Sequence, residues 1–328
     1  MTRIRIRPPW YLPESLATPE EVFVNRRTFL KQAAVAAGGA MLLPSIGCAQ
    51  DTTRTGPLDG VEKYPGEITR NRAYDAGRPL TKDTVAAGFN NFYEFHTDKE
   101  RVWKLVDKFQ TKPWSLKIDG ACKNKGDFDL DDILKRFPQE ERVYRFRCVE
   151  TWSMTVPWIG FPLKALIEWA EPTDAAKYVS FLTAWKPKEM PTLGGFRDEF
   201  PYYEGLRLDE AMNELTLCAT GMYGRKMPKQ NGAPLRIIAP WKYGYKSPKS
   251  IVAIAFTENL PGTFWNDYAP NEYGFFSNVN PGRAHPRWSQ AKEWRIPNEG
   301  EKHDTELFNG YGEQVAEMYK GMDLIRYH

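Results

Sequence analysis

RFRCVETWSMTVPWIGFPL, from Arg145 to Leu163, carries one cysteine, Cys148, in an aromatic and apolar setting. Ahead of it apolar and polar residues alternate, so Val143 to Glu150 reads as a strand. Alternation places Tyr144, Phe146, Cys148 and Glu150 on one face, with Arg145 and Arg147 on the other. Beyond it, Pro162 suits a first helical turn, and Leu163, Leu166, Ile167 and Ala170 fall on one helical stripe. No second cysteine or histidine is near enough in sequence to share a metal with Cys148 or to close a local bridge. Two readings of Cys148 follow: a small buried residue packed beside Phe146, or a thiolate ligand for a soft metal.

Outward from this stretch the chain is of the α+β class, mixed and strand-rich, with short helices and long loops. Trp114, Leu116 and Ile118 alternate before the turn pair Asp119-Gly120. Tyr178 to Ala184, Leu235 to Ala239 and Ile251 to Thr257 are further strand candidates. Val102, Leu105, Val106 and Phe109 predict an amphipathic helix over Lys99 to Gln110, and Ile133, Leu134 and Phe137 a helical face stopped by Pro138. Residues 261–295 are rich in Asn, Pro, Gly and aromatics and have little period, as loops that shape a site do. Nucleotide-binding glycine loops, H-E-x-x-H, G-x-S-x-G and C-x-x-C are absent, and the histidines (His96, His285, His303, His328) are scattered. Cys122 and Cys218 read as buried apolar thiols.

The first 48 residues read as an address. Arg26-Arg27 precede a short Gly/Ala-rich apolar run, Ala33 to Leu43, too short for a bilayer span of about 20 residues. Paired arginines before such a run resemble a twin-arginine export signal. Residues 1–48 are therefore expected to be that signal, 49–70 a linker, and 71–328 one catalytic domain. Cys48 resembles a lipoprotein site only faintly. That route carries folded, cofactor-loaded proteins, so it implies the twin-arginine translocase as a partner, the periplasm as destination and a cofactor inserted before export. The chain carries a net charge of +3, all of it within 1–48, where there are six Lys/Arg and three Glu; the remainder holds 39 of each sign. A neutral body lacks the basic face that nucleic-acid binding needs.

The Arg145–Leu163 run is similar to the cysteine segment of the sulfite oxidase family of molybdenum enzymes. FNNFYEFH (89–96), QNGAPLRIIAPWKYGYKSPKSIVAI (230–254), NEYGFFSNVNP (271–281) and HPRWSQA (285–291) extend the resemblance over about 71–328. It implies a molybdenum–molybdopterin cofactor with one pyranopterin dithiolene and Cys148 as the metal ligand. It implies cofactor contacts at Asn90, Tyr93, Glu94, Thr183, Asn231 and Arg236, with Ser247, Pro248 and Lys249 around the phosphate end. A dianionic phosphate suits Arg236, Lys249 and the Ser247 hydroxyl, and pterin nitrogens suit the amides of Asn90 and Asn231. Beyond the resemblance, Glu150 is expected near the metal, either relaying protons or ion-paired to a neighbouring arginine. Asn91 is expected to hydrogen-bond an oxygen ligand there.

The resemblance further implies reduction of protein-bound methionine sulfoxide, with oxidised periplasmic proteins as substrates. The chain has no haem or flavin pattern, so electrons are expected from elsewhere, and the resemblance implies a membrane haem-b subunit. Trp265, Tyr268, Tyr273, Phe275 and Phe276 are expected to form an aromatic rim, because sulfur packs well on ring edges. The competing readings are a sulfite dehydrogenase, which usually adds a dimerisation domain where a monomer is expected here, and an exported binding protein without redox activity.

Overall fold

The computed structural model describes residues 54–191, 200–297 and 300–328. The expected export signal, Cys48 and the start of the expected linker lie outside them. In chain order the strands are β1 (Thr69–Arg70), β2 (Ser115–Gly120), β3 (Gly126–Asp129), β4 (Glu140–Arg147) and β5 (Trp152–Pro162). There follow β6 (Tyr178–Thr183), β7 (Tyr203–Arg207), β8 (Leu217–Met222), β9 (Arg225–Lys226) and β10 (Arg236–Ile238). β11 (Ile251–Thr257), β12 (Lys292–Arg295) and β13 (Lys302–Asp304) complete the described set. The described helices are short, the longest being Leu163–Ala170.

These strands build two mixed sheets. One runs β3-β2-β11-β6-β7; the other runs β1-β4-β5-β12-β13, with β8 also on β5 and β9 and β10 on β8. The pivot is β5, whose residues are all buried except Pro162. Both of its faces are covered, so that even Ser153 and Thr155 are buried. Trp152, Met154, Val156 and Trp158 enter the core of the larger sheet, whereas Phe161 enters the core of the smaller one. The strand changes core across a register shift between Ile159 and Gly160. A Cβ at Gly160 would stand 2.1 Å from the Cys218 carbonyl, so only glycine permits this approach.

Leu163, Leu166, Ile167 and Ala170 are fully buried on one stripe of their helix, as their spacing predicts. Truncating Leu166 to alanine there would cost about 2–5 kcal/mol. Two expectations need correction. Lys99 to Gln110 is not an amphipathic helix; it holds one 3-10 turn, Val102–Lys104, although Val102, Val106 and Phe109 are buried. The strand expected to reach Glu150 stops at Arg147, and the chain reverses through residues 148–151 into β5.

Candidate active site

Cys148 sits where β4 turns into β5. Its backbone N–H donates to the Trp152 carbonyl, and its own carbonyl accepts from Thr151 N. Thr151 takes φ +74, a conformation costly for a β-branched residue and sustained only where its surroundings fix the turn. Glu150 therefore reaches Cys148 by chain reversal, not by the strand alternation expected from sequence. The sulfur is buried and receives two N–H groups, Glu150 N at 3.4 Å and Asn91 Nδ2 at 3.5 Å. Burial, with the Glu150 charge second, pushes the thiol pKa far up, and coordination to a metal would remove its proton. Cys218 is buried in the core and Cys122 bonds the Asp119 carbonyl at 3.6 Å; both are free thiols packed as expected.

Asn91 and Tyr93 bracket the sulfur's neighbour. Asn91 Nδ2 donates to Glu150 Oε2 at 3.2 Å, Tyr93 OH donates to Oε1 at 3.4 Å, and Trp152 Nε1 donates to Oε2 at 2.9 Å. The ion partner of Glu150 is Lys99, at 3.0 Å, rather than an arginine. Burial, the largest influence, alone would raise the Glu150 pKa; Lys99, with the Trp152 and Asn91 donors, outweighs it and leaves a carboxylate below its usual range. Nothing in the sequence singles out Lys99, which is far from Glu150 along the chain.

The remaining candidates converge from the two sheets. Asn231 closes a 3-10 turn before β10; its amide nitrogen donates to Ala86 O and to Asn90 Oδ1. Arg236 opens β10 with its guanidinium against the Phe146 and Trp158 rings, donating to the carbonyls of Asn231 (2.7 Å) and Ser247 (3.1 Å). It is buried with no carboxylate paired to it among the described residues, and burial lowers its pKa to about 9, still charged at neutral pH. Ser247 Oγ accepts from Ala239 N, and the Pro248 carbonyl accepts from Ile237 N, which ties this segment to β10. Ile251 pairs with Thr183, so the residues just before β11 lie beside the end of β6. The Thr183 hydroxyl donates to Tyr202 O at 3.0 Å, which leaves its oxygen free to accept.

Lys249 is half-buried and approaches Gly232 so closely that a Cβ there would lie 2.8 Å from it. Burial first and Arg236 second lower its pKa, while Glu94 and Cys148 oppose them. Glu94 is buried, and its pKa is raised by burial against the pull of Lys249.

This arrangement fits a molybdopterin group on three counts. Two cations, Arg236 and Lys249, share one buried region, as a phosphate requires. Asn91 Oδ1, Asn231 Oδ1 and Arg236 Nε are buried without a hydrogen-bond partner, although such atoms are normally satisfied. A single thiol, Cys148, lies near these cations, and the described residues contain no cluster of three His, Cys, Asp or Glu side chains that could hold a metal by themselves. The expected rim is corrected in part. Tyr273 and Phe275 are buried, whereas Tyr268 is 50% exposed and Trp265 half-buried, its ring 5.9 Å from that of Tyr93.

Residues 103–265 match the family described as oxidoreductase molybdopterin binding domain. The chain is 48% identical over 327 residues to the protein-methionine-sulfoxide reductase catalytic subunit MsrP of Burkholderia mallei, covering 96% of this chain and 95% of that one. A crystal structure of the sulfane dehydrogenase SoxCD from Paracoccus pantotrophus shares 13% identity at a TM-score of 0.43, over 74% of this chain and 60% of that one. The fold and site thus define a molybdopterin-dependent oxidoreductase. Within that class, the chain belongs to the family of protein-methionine-sulfoxide reductase catalytic subunits.

Proposed function

We propose that this chain reduces methionine sulfoxide, protein-bound and free, to methionine. The observation that carries the reading is the pairing of one buried, N–H-bonded thiol at Cys148 with the cations Arg236 and Lys249. In the half reaction the sulfoxide takes up two protons and two electrons, its sulfur–oxygen bond breaks, and the thioether and one water leave. When bound, the molybdenum cofactor supplies the two-electron oxygen-atom transfer. Cys148 would hold the metal by its sulfur. Arg236, Lys249 and Ser247 would hold the phosphate end, and Asn90, Asn231, Thr183, Tyr93, Glu94 and Pro248 would contact the rest of the group. Glu150, kept ionised by Lys99, receives and passes protons at its carboxylate oxygens, and Asn91 bridges that carboxylate to the sulfur. Trp265 and Tyr268 offer ring edges to the thioether side of the substrate.

The family implies a redox partner and oxidised protein substrates. We assign the electrons to a membrane haem-b subunit and the substrates to envelope proteins, reached after export by the twin-arginine route that Arg26-Arg27 marks. The deciding experiment is reduction of an oxidised protein by purified, molybdenum-loaded enzyme with a chemical electron donor. Rapid conversion of its sulfoxides, abolished in Cys148→Ser, supports the reading. Sulfite turnover far exceeding sulfoxide turnover, or full activity in Cys148→Ser, overturns it.

A further inference from the structure

We infer that Trp288 and Gln290 are positioning residues that fix and tune the Cys148 sulfur through one peptide group, the amide joining Val149 to Glu150. The inference rests on Cys148 being the metal ligand. The Val149 carbonyl accepts two side-chain donors, Trp288 Nε1 at 2.8 Å and Gln290 Nε2 at 2.7 Å. In a trans peptide the N–H points opposite to the carbonyl. That N–H belongs to Glu150 and lies 3.4 Å from the Cys148 sulfur. One rigid plane therefore has two donors behind it and the sulfur in front.

The orientation of Gln290 is fixed by its partners. Arg147 NH2 lies 2.6 Å from Gln290 Oε1, and a guanidinium can only donate. The amide oxygen must face Arg147, so the NH2 faces the Val149 carbonyl, which can only accept. Gln290 and Arg147 are both buried, which removes competition from water. Trp288 is held flat against His285, with ring centroids 3.9 Å apart and planes 9° apart. Both donors are thus presented from residues 285–290 with little freedom.

The physical consequence has two parts. Hydrogen bonds in series polarise one another, so donors on the carbonyl make the amide N–H a stronger donor to sulfur. A stronger N–H bond withdraws electron density from a metal-bound thiolate and favours the reduced, more electron-rich centre; hydrogen bonds to sulfur are a recognised lever on potential. The clamp also holds a turn whose Thr151 sits at φ +74, against relaxation that would move the sulfur.

The test compares the midpoint potential of the molybdenum couple, by redox titration, in loaded wild type, Gln290→Met, Trp288→Phe, the double variant and Thr305→Val. Methionine keeps the shape of Gln290 and phenylalanine keeps the stacking of Trp288, while each deletes one donor. Thr305 also accepts from Arg147, at 2.9 Å, without touching Val149, so its variant reports simple structural loosening. The expected result is a downward shift in both single variants, a larger one in the double variant and none in Thr305→Val, at unchanged molybdenum content. Wild-type potentials in both single variants with molybdenum bound, or an equal shift in Thr305→Val, overturn the inference. Should Gln290→Met fail to fold, Trp288→Phe decides the matter alone. Failure of the ligand assignment shows differently: metal–sulfur scattering of the wild type is then unaltered in Cys148→Ser.

Discussion

The amide of Asn231 donates to the side-chain oxygen of Asn90 at 2.9 Å, joining the loop after the Asp83–Gly88 helix to the turn that leads into β10. The same nitrogen donates to Ala86 O at 3.0 Å, so one side chain closes two acceptors, both buried. Asn231→Ala leaves those acceptors unsatisfied, which costs about 1–3 kcal/mol. The expected outcome is a lower denaturation midpoint together with reduced molybdenum per protein. A variant with wild-type metal content and stability would show that this bridge holds nothing.

Arg236 is buried and Lys249 half-buried, and neither cation is ion-paired to a carboxylate among the described residues. A charge-assisted hydrogen bond to phosphate is worth about 1.5–3 kcal/mol, or roughly ten- to a hundredfold in affinity. Arg236→Gln and Lys249→Gln are each expected to lose bound cofactor by such a factor, more steeply for Arg236 because it is the more buried. Metal analysis after dialysis checks this. Full retention in both variants would place the phosphate elsewhere.

How far the sequence reveals this molecule depends on whether periodicity meets a regular backbone. The Leu163–Ala170 helix and β11 appear where their apolar spacing puts them. Val102, Val106 and Phe109 are buried at helical spacing, yet Leu105 N bonds Val102 O and Phe109 N bonds Val106 O, so successive tight turns satisfy the same pattern. The reversal at 148–151 is invisible because Val149, Glu150 and Thr151 contain no Gly, Pro or Asn, and the turn is held by distant residues instead. For the same reason Cys148, Arg236 and Lys249 are candidates already from the local segments that carry the resemblance, whereas the contacts of Lys99, Trp288 and Gln290 emerge only from the folded chain.

Glu150 accepts from Asn91, Tyr93 and Trp152 and pairs with Lys99. Glutamine in its place can still accept from Asn91 and Trp152, so the turn and the metal content should persist. What disappears is the carboxylate that the proposed mechanism uses to take up and release protons. The expected effect of Glu150→Gln is a fall of about 10²-fold in kcat, a usual cost of removing a positioned acid–base group. An unchanged kcat would reduce Glu150 to an ion-pair partner of Lys99.

Trp265 connects the exposed ring of Tyr268, 5.8 Å away, to Tyr93, 5.9 Å on its other side. A sulfur–aromatic contact is worth about 0.3–1.5 kcal/mol, which converts to roughly 2- to 10-fold. Trp265→Ala is accordingly expected to raise KM for oxidised protein by that factor while leaving kcat near wild type. A fall in kcat with KM unchanged would mean that the ring supports the chemistry rather than substrate capture.

His285 is buried and stacked on Trp288, faces the Tyr273 ring, and has Glu272 3.3 Å from Nε2 with Arg287 and Arg283 nearby. Its Nδ1 accepts from Arg287 N, which puts the ring hydrogen on Nε2, toward Glu272. Burial is the largest influence and lowers the pKa; the two arginines add to it, and Glu272 opposes them only in part. The folded protein therefore refuses a proton that the unfolded chain accepts once pH falls through the ordinary histidine range near 6.5. No stability difference arises above that range, and stability is lost below it. The denaturation midpoint should drop between about pH 7.5 and about pH 5.5, and drop less in His285→Gln, which cannot take up the proton. Glutamine also forfeits the stacking on Trp288, so its curve should start lower and run flatter. Parallel curves for the two proteins would mean that His285 carries the same charge folded and unfolded.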